Sequence, residues 1–105
     1  MEKTIFDGGV VTKDTSEILK YTFDYDCEDT LAPGVQLTSV GSFAITPTTT
    51  PPLTISYQQL VANNRKVELL VGGGVYGKTY TIENTVQTNE NPQQTLSPWF
   101  KLRIT

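Results

Sequence analysis

The chain has 105 residues and a formal net charge of -3, with one cysteine and no histidine. This length suits one hydrophobic core, so we predict a single domain over residues 1–105. The charge argues against the broad basic surface that a nucleic-acid backbone requires. The residue counts exclude histidine zinc sites, paired-cysteine sites and histidine-dependent triads. The sequence shows neither a leader-like N-terminus nor an apolar run of about 20 residues, so we expect no signal peptide and no membrane partner.

Charge and the single cysteine carry little chemical information. Eight of the eleven acidic residues lie in the first 29 positions, and five of the eight basic residues lie from Arg65 onward. This asymmetry indicates either a solvated surface with an acidic loop or a field that orients a partner. Cys27 has no second cysteine to pair with and no histidine as a base, so we interpret it as a strand-end residue of a protein made in reducing cytoplasm.

Alternation of apolar and polar residues, which is typical of strands, recurs along the chain, and a helical repeat is absent. We predict a short N-terminal strand at 4–6 or 10–12 and a strand near 17–25. The core face of this second strand is predicted to hold Leu19, Tyr21, Phe23 and Tyr25. A third strand is predicted near 35–46, with a bulge at Gly41.

The next two strands are predicted to form a hairpin over 53–62 and 66–71. Asn63 and Asn64 lie between them, and asparagine tolerates the positive φ angles of a tight turn. We predict that Leu53, Ile55 and Tyr57 share one face of the first strand. On the second strand, Val67, Leu69 and Val71 are predicted to line one side and Leu70 the other.

The last two strands are predicted at 78–88, interrupted by Asn84, and at 96–104. Pro98 cannot donate a ladder hydrogen bond, so it indicates a break or edge early in the final strand. Together these elements predict an all-β protein, an immunoglobulin-like antiparallel β-sandwich of about seven strands. Tyr80 follows a loop at the start of the penultimate strand, where such sandwiches hold a tyrosine whose hydroxyl bonds back to the loop; the alternative is an ordinary core tyrosine.

A formal phosphate-loop pattern, Gly-x-x-x-x-Gly-Lys-Thr, begins at Gly72 and ends with Lys78 and Thr79. A nucleotide site needs a helix directly after the lysine, so that its N-terminus faces the phosphates. The residues that follow are β-branched and alternate with period two, and only 26 residues remain after Thr79. We therefore predict a flexible loop between strands and no cofactor-binding residue.

The acidic run at 24–29 places Asp24, Asp26 and Glu28 at alternate positions. Hard cations favour several carboxylates, but the helix–loop–helix calcium loop would need Gly at position 29 and Glu at position 35, where this chain has Asp29 and Val35. An irregular cation site remains open. We assign no catalytic, cofactor-binding or metal-ligating residue and no cofactor, and we predict a protein that is not an enzyme.

Two segments are similar to a known family. Residues 13–24 resemble the opening Lys-Asp-Pro-Asp-Glu-Val-Leu-Asp-Tyr-x-Ile-Asp of tailed-bacteriophage fibre–tail adaptors, and residues 73–82 resemble their Gly-Gly-x-x-Gly-x-x-Tyr-x-Ile/Val loop and strand. The final strand, ending in Leu102, Arg103 and Ile104, is similar too. The chain departs from the family at Tyr25, where a Trp is common, in its Thr-Thr-Thr-Pro-Pro stretch, and in the final hairpin.

The resemblance implies a small immunoglobulin-like virion protein that joins tail fibres to the tail or baseplate. Its implied partners are these virion proteins, in several copies, and its implied location is the phage tail, after assembly in the host cytoplasm. The alternatives are a head decoration or head–tail connector protein, a carbohydrate- or cell-surface-binding module using Trp99, Tyr76 or Tyr57 on one patch, and a minimal nucleotide-dependent enzyme.

An adaptor needs two separate contact surfaces. We place them at the loop end around residues 72–77 and at the edge or loops near residues 47–52, because both carry backbone groups that no regular ladder satisfies.

Overall fold

The computed structural model describes residues 2–5, 9–25, 31 and 33–105. All regular secondary structure in these ranges is β-strand. The strands are β1 Glu2–Ile5, β2 Gly9–Lys13, β3 Leu19–Asp24, β4 Ser42–Thr46, β5 Leu53–Val61, β6 Lys66–Gly73, β7 Thr79–Gln87, β8 Thr95–Leu96 and β9 Trp99–Ile104. They form two sheets with the orders β1-β3-β6-β5 and β2-β9-β7-β4, and β8 pairs with β7. The predicted all-β sandwich is confirmed, with nine described strands instead of about seven. This part of the chain contains no helix that could cross a membrane.

The strand order follows a known arrangement, with one departure at the N-terminus. β1, β3, β6 and β5 take the places of strands A, B, E and D of a constant-type immunoglobulin sandwich, and β4, β7 and β9 take those of C, F and G. However, β1 pairs with β3 and β2 with β9 in parallel. The N-terminal segment thus adds an edge strand to each sheet, where the sequence predicted one strand in all.

Alternating side chains from both sheets form the core. The predicted core face of β3 is confirmed, and β6, β7 and β9 also turn every second residue inward. The ring centroid of Phe100 lies 5.6 Å from that of Tyr21 and 5.4 Å from that of Phe23. Burying one large apolar side chain contributes about 1.5–3 kcal/mol, so this two-sided packing is the main source of stability.

A bulge in β5 places Tyr57 on the face opposite to the predicted one. Ile55 pairs with Val71, whereas Tyr57 pairs with Leu70, which leaves Ser56 as the extra residue. Val71 is buried and Leu70 lies on the outer face, so Ile55 and Tyr57 point to opposite sides of the sheet. The prediction that Tyr57 shares a face with Leu53 and Ile55 was wrong, because one inserted residue reverses the alternation.

The strand predicted near 35–46 is shorter than expected. Only β4 is regular, and Leu37 forms an isolated bridge with Thr88. Gly41 directly precedes β4 with a φ of 72°, and a Cβ there would lie 2.0 Å from the Thr85 carbonyl oxygen. Glycine is therefore required at this position because the backbone of Thr85 lies too close for a side chain. Gly41 lies before β4 begins and not at a bulge within the strand, as was predicted.

Two predicted interruptions are confirmed. Between β5 and β6, Asn63 and Asn64 have φ angles of 62° and 58°, as a tight turn requires. At the C-terminus, β8 ends before Pro98 and β9 begins after it.

Candidate interaction surface

One end of the sandwich brings together the segments that the sequence analysis treated as separate. We call residues 13–18, 47–52 and 73–78 the glycine-loop end; they connect β2 to β3, β4 to β5, and β6 to β7. The Gly74 N–H donates to the Pro52 carbonyl oxygen at 3.3 Å, which joins two of these connections directly. The prediction of two separate contact surfaces at residues 72–77 and 47–52 is therefore wrong. They form one surface.

The glycine loop uses its backbone donors within the chain. The N–H groups of Gly77 and Lys78 donate to the carbonyl oxygens of Ile104 at 2.9 Å and Val75 at 3.1 Å. Together with the bond from the Gly74 N–H, these bonds satisfy backbone groups of the loop that were predicted to be unsatisfied. A phosphate cradle needs free amides and a following helix, and here β7 begins at Thr79. The loop therefore does not have the geometry of a nucleotide site.

Two glycines of the loop are needed for packing. Gly73 and Gly74 have φ angles of 74° and 96°, a region that favours glycine. A Cβ at Gly73 would lie 2.7 Å from the Pro52 carbonyl oxygen, and a Cβ at Gly74 would lie 3.0 Å from Ile104 Cδ1. The glycines allow the loop to approach the Pro52 backbone and the Ile104 side chain closely.

Tyr80 connects the same segments through one buried hydroxyl. Its oxygen accepts a hydrogen bond from the Val75 N–H at 2.9 Å and lies 2.7 Å from Thr49 Oγ1. Because the Thr49 hydroxyl donates to the Pro51 carbonyl oxygen at 2.9 Å, the Tyr80 hydroxyl donates to Thr49. The predicted bond from Tyr80 back to the preceding loop is confirmed, and the bond to Thr49 was not predicted.

Lys13 is a structural residue that the sequence reasoning missed. It is only 1% exposed, and its ammonium donates to the carbonyl oxygens of Asp14 at 2.7 Å and Gly73 at 2.8 Å. Burial lowers the pKa of this ammonium, while the carboxylates of Glu17 and Asp14 partly oppose the shift. The sequence pattern that could have predicted its burial is the alternation along β2, because Lys13 comes two residues after the inward-facing Val11.

The exposed part of the glycine-loop end has the composition of a contact surface. Tyr76 at the tip of the loop is 77% exposed. Around it, Lys78, Thr48 and the prolines of residues 47–52 are also exposed. Exposed tyrosines are enriched at protein interfaces because they supply a rigid, amphipathic contact area.

The acidic run supplies no described cation site. Asp24 lies 3.5 Å from the Lys66 ammonium, its cross-strand partner. Residues 26–30, which include Cys27 and the remaining carboxylates of the run, lie outside the described residues. Within the described ranges, no cluster of three or more metal-ligating side chains occurs. The interpretation of Cys27 and the cation alternative both remain predictions, as do the absent catalytic, cofactor-binding and metal residues.

The three aromatic residues of the carbohydrate alternative lie apart. Trp99 is on the outer face of β9, where the Lys101 ammonium lies 5.9 Å from its ring centroid. Tyr57 is on the outer face of the other sheet, and Tyr76 is in the loop after β6. Tyr57 lines a shallow groove with Ile18, Lys20, Glu68 and Leu70. These aromatic side chains do not form one flat sugar-binding patch.

Comparison with known structures identifies the fold. The crystal structure of the cysteine protease inhibitor EhICP2 from Entamoeba histolytica matches with a TM-score of 0.56, over 99% of this chain and 93% of that chain. The two sequences are 15% identical, so the likeness concerns the fold alone. A comparison with curated proteins found no sequence match. Fold and surface together define a small all-β protein suited to protein contacts.

The family follows from the sequence match. A family model described as "Podophage GP4 fiber-tail adaptor protein gp77" matches residues 13–100. The chain belongs to this family of phage structural adaptors, whose members are virion components that contact other virion proteins. The matched range begins at Lys13 and includes the whole glycine-loop end.

Proposed function

We propose that this chain is a non-enzymatic structural protein of the phage tail, which joins tail fibres to the tail or baseplate in several copies. The observation that carries the proposal is the family match over residues 13–100. We further propose that the chain is one domain, assembled into the tail in the host cytoplasm without nucleic acid, membrane or cofactor.

The glycine-loop end supports this function as the first contact surface. Its main chain is anchored by Lys13, Tyr80 and the Gly74–Pro52 bond, so the exposed Tyr76 stands on an ordered base. A preorganised aromatic anchor loses little conformational entropy on binding. We expect one virion partner to cover Tyr76 and the adjacent prolines.

The test uses particles made without this chain, to which purified protein is added back. Wild-type protein should restore fibre-bearing tails, and a cryo-EM map of these particles should place the chain between fibre and tail. Tyr76→Ala should reduce incorporation at least tenfold, the loss expected for a central aromatic anchor. Tyr57→Ala is the matched control, since it removes a tyrosine from a different face, and it should incorporate normally.

Other outcomes would overturn the proposal. Density for the chain on the capsid shell would indicate head decoration, and density at the portal would indicate a connector. Binding to a sugar alone would indicate a carbohydrate module. Micromolar ATP binding that is lost in Lys78→Ala would revive the nucleotide site, whereas we expect Lys78→Ala to fold and assemble normally because Lys78 is exposed.

A further inference from the structure

The four edge strands of the two sheets differ in how they are protected against pairing with another chain. The edges are β1 and β5 in one sheet and β2 and β4 in the other. β5 has the bulge at Ser56, β2 points the charged Lys13 inward, and the four-residue β1 includes Glu2 and Lys3. Bulges, inward charges and short charged strands are the usual means of blocking edge-to-edge pairing.

The edge strand β4 has none of these features. Its sequence is Ser-Phe-Ala-Ile-Thr, without charge, proline, glycine or bulge, and its register with β7 is continuous from Ser42 to Thr46. It is therefore the one described edge that is open to strand addition.

The direction of the free backbone groups follows from the hydrogen bonds of β7. Phe43 pairs with Asn84, and the Asn84 N–H donates to the Pro98 carbonyl oxygen, away from β4. In an antiparallel ladder, the residue opposite such a position points its own N–H and C=O outward. Phe43 and, two residues later, Ile45 thus present two donors and two acceptors at the sheet edge.

The side chains beside this edge indicate what would bind there. Phe43 and Ile45 on β4 are only partly buried and pack against the core. The outward neighbours Ser42, Ala44 and Thr46 are small and neutral. A strand added to β4 would cover this apolar flank with apolar side chains at alternate positions, and its other positions would be small or polar.

A second copy of this chain does not meet the requirement. A β4–β4 contact of five residues is about 17 Å long and buries on the order of 200 Å² per copy, well below the ~800 Å² per partner of a stable interface. An extended segment of a larger virion protein has no such limit, because other contacts within the particle raise its effective concentration at the edge.

We propose that β4 is the second contact surface of the adaptor and that it binds an extended segment of a virion partner by strand addition. This segment has apolar residues at alternate positions and donates to and accepts from the main chain of Phe43 and Ile45. The inference rests on the proposed function, and it replaces the second surface that residues 47–52 were expected to provide.

The experiment uses two probes, purified tail fibres and tails isolated without fibres, each mixed with isotope-labelled full-length chain. Amide hydrogen exchange is measured by NMR for the free chain and for the chain recovered from each complex. The amides of Phe43 and Ile45 should exchange rapidly in the free chain and at least tenfold more slowly in one complex. The amide of Ala44, which faces β7, should be protected in both states and serves as the internal reference.

Two variants test the same point by binding. Ile45→Pro removes the outward N–H, which a sheet edge tolerates, and Ile45→Ala removes most of the side chain but keeps the N–H. Ile45→Pro should bind its probe at least tenfold more weakly than Ile45→Ala. If Ile45→Pro does not fold, which circular dichroism would show, the exchange measurement decides.

The outcomes separate this inference from the proposed function. If wild-type chain binds neither probe, the adaptor function fails. If it binds but the Phe43 and Ile45 amides still exchange rapidly in both complexes, or Ile45→Pro binds as well as Ile45→Ala, the function stands and strand addition at β4 is wrong. Concentration-dependent protection of these amides in the free chain would show that the occupant is a second copy, which would also overturn the inference.

Discussion

At the glycine-loop end, one backbone bond, the Lys13 ammonium and the Tyr80 hydroxyl join the loops, whereas at the opposite end side-chain amides make many of the bonds between segments. The opposite end, which we call the amide end, comprises residues 33–41, 62–65 and 88–98. There Gln36 Nε2 donates to the Asn63 carbonyl oxygen at 3.0 Å, and the Gln36 N–H donates to Asn89 Oδ1 at 3.0 Å. Asn89 returns a bond from its N–H to the Gln36 carbonyl oxygen at 2.9 Å.

Near this end, the buried Asn84 forms a second set of side-chain bonds. Its amide nitrogen donates to the carbonyl oxygens of Val40 at 2.9 Å and Ser42 at 3.1 Å, and its oxygen accepts from the Tyr25 hydroxyl at 2.7 Å. Tyr25 is thereby the buried partner of Asn84, at the position where the family commonly has Trp. The residues that secure the amide end are thus committed to internal bonds.

The difference indicates how structural and functional roles are divided. Long irregular segments at the amide end need side-chain partners for their buried carbonyls, because no ladder satisfies them. Short connections at the glycine-loop end need only close backbone approach and the two buried side chains of Lys13 and Tyr80. Side chains such as Tyr76 are therefore left exposed for a partner at the glycine-loop end.

The largest expected effect is at Asn84. Asn84→Leu keeps the side-chain volume but removes the donor to the Val40 and Ser42 carbonyl oxygens and the acceptor of the Tyr25 hydroxyl. Each unsatisfied buried group costs about 1–3 kcal/mol, so we expect a loss of about 3 kcal/mol or more. Urea denaturation measures this loss. Gln87→Leu, which replaces an amide by leucine at an exposed site on β7, should cost less than about 0.5 kcal/mol. Equal losses in the two variants would show that the hydrogen bonds of Asn84 do not stabilise the fold.

At the glycine-loop end, the sharpest test removes the oxygen of Tyr80. Tyr80→Phe leaves the Val75 N–H without its acceptor and removes the bond that Thr49 Oγ1 accepts, so the free energy of unfolding should fall by about 1.5–3 kcal/mol. The Val75 amide should also lose protection in hydrogen exchange. Tyr76→Phe, which changes an exposed hydroxyl, is the control and should leave both quantities unchanged. Unaltered Val75 exchange in Tyr80→Phe would mean that the loop is held by other contacts.

A smaller loss is expected when the buried ammonium of Lys13 is removed. Lys13→Met keeps most of the buried stem but removes the donor to the Asp14 and Gly73 carbonyl oxygens, which should cost about 1–2 kcal/mol in denaturant unfolding. The matched variant Lys78→Met replaces an exposed lysine and should be neutral within about 0.5 kcal/mol. A neutral Lys13→Met would show that the link from β2 to the glycine loop is dispensable.

The smallest effect at neutral pH is expected for Tyr21, a fully buried tyrosine whose hydroxyl has no hydrogen-bond partner among the described residues. Tyr21→Phe should change the free energy of unfolding by less than about 1 kcal/mol at pH 7, because it breaks no described hydrogen bond. This result would contrast with Tyr80→Phe, where the same atom is bonded twice.

Alkaline pH separates Tyr21 from its variant. Desolvation, and secondarily the Glu17 carboxylate, raise the pKa of Tyr21 from 10.0 to about 12. The unfolded chain therefore loses the phenol proton first, and the stability due to the neutral phenol is complete below pH 10 and lost between 10 and 12. From pH 9 to pH 11, wild-type protein should lose more stability than Tyr21→Phe in urea denaturation. Parallel losses would contradict the raised pKa.

The sequence alone predicted the elements that depend on local chemistry. Alternation predicted which residues share the buried faces of β3 and β6, two asparagines marked the turn after β5, and Pro98 marked the break before β9. The bond from Tyr80 to its preceding loop was also predictable, because the tyrosine and the loop are only a few residues apart. The family resemblance likewise rested on two short segments read directly from the chain.

Tertiary structure decided which distant segments meet. Ser56 is an extra residue in the pairing of β5 with β6, and it places Tyr57 on the outer face. Such a bulge depends on how the two strands pair and not on their composition. The Lys13 ammonium donates to the Gly73 carbonyl oxygen, 60 positions away in the sequence. Residues 47–52 contact residues 73–78 because β2, β4 and β6 all end at the same end of the sandwich. Local sequence determines how a strand alternates, but its neighbours depend on the packing of the whole chain.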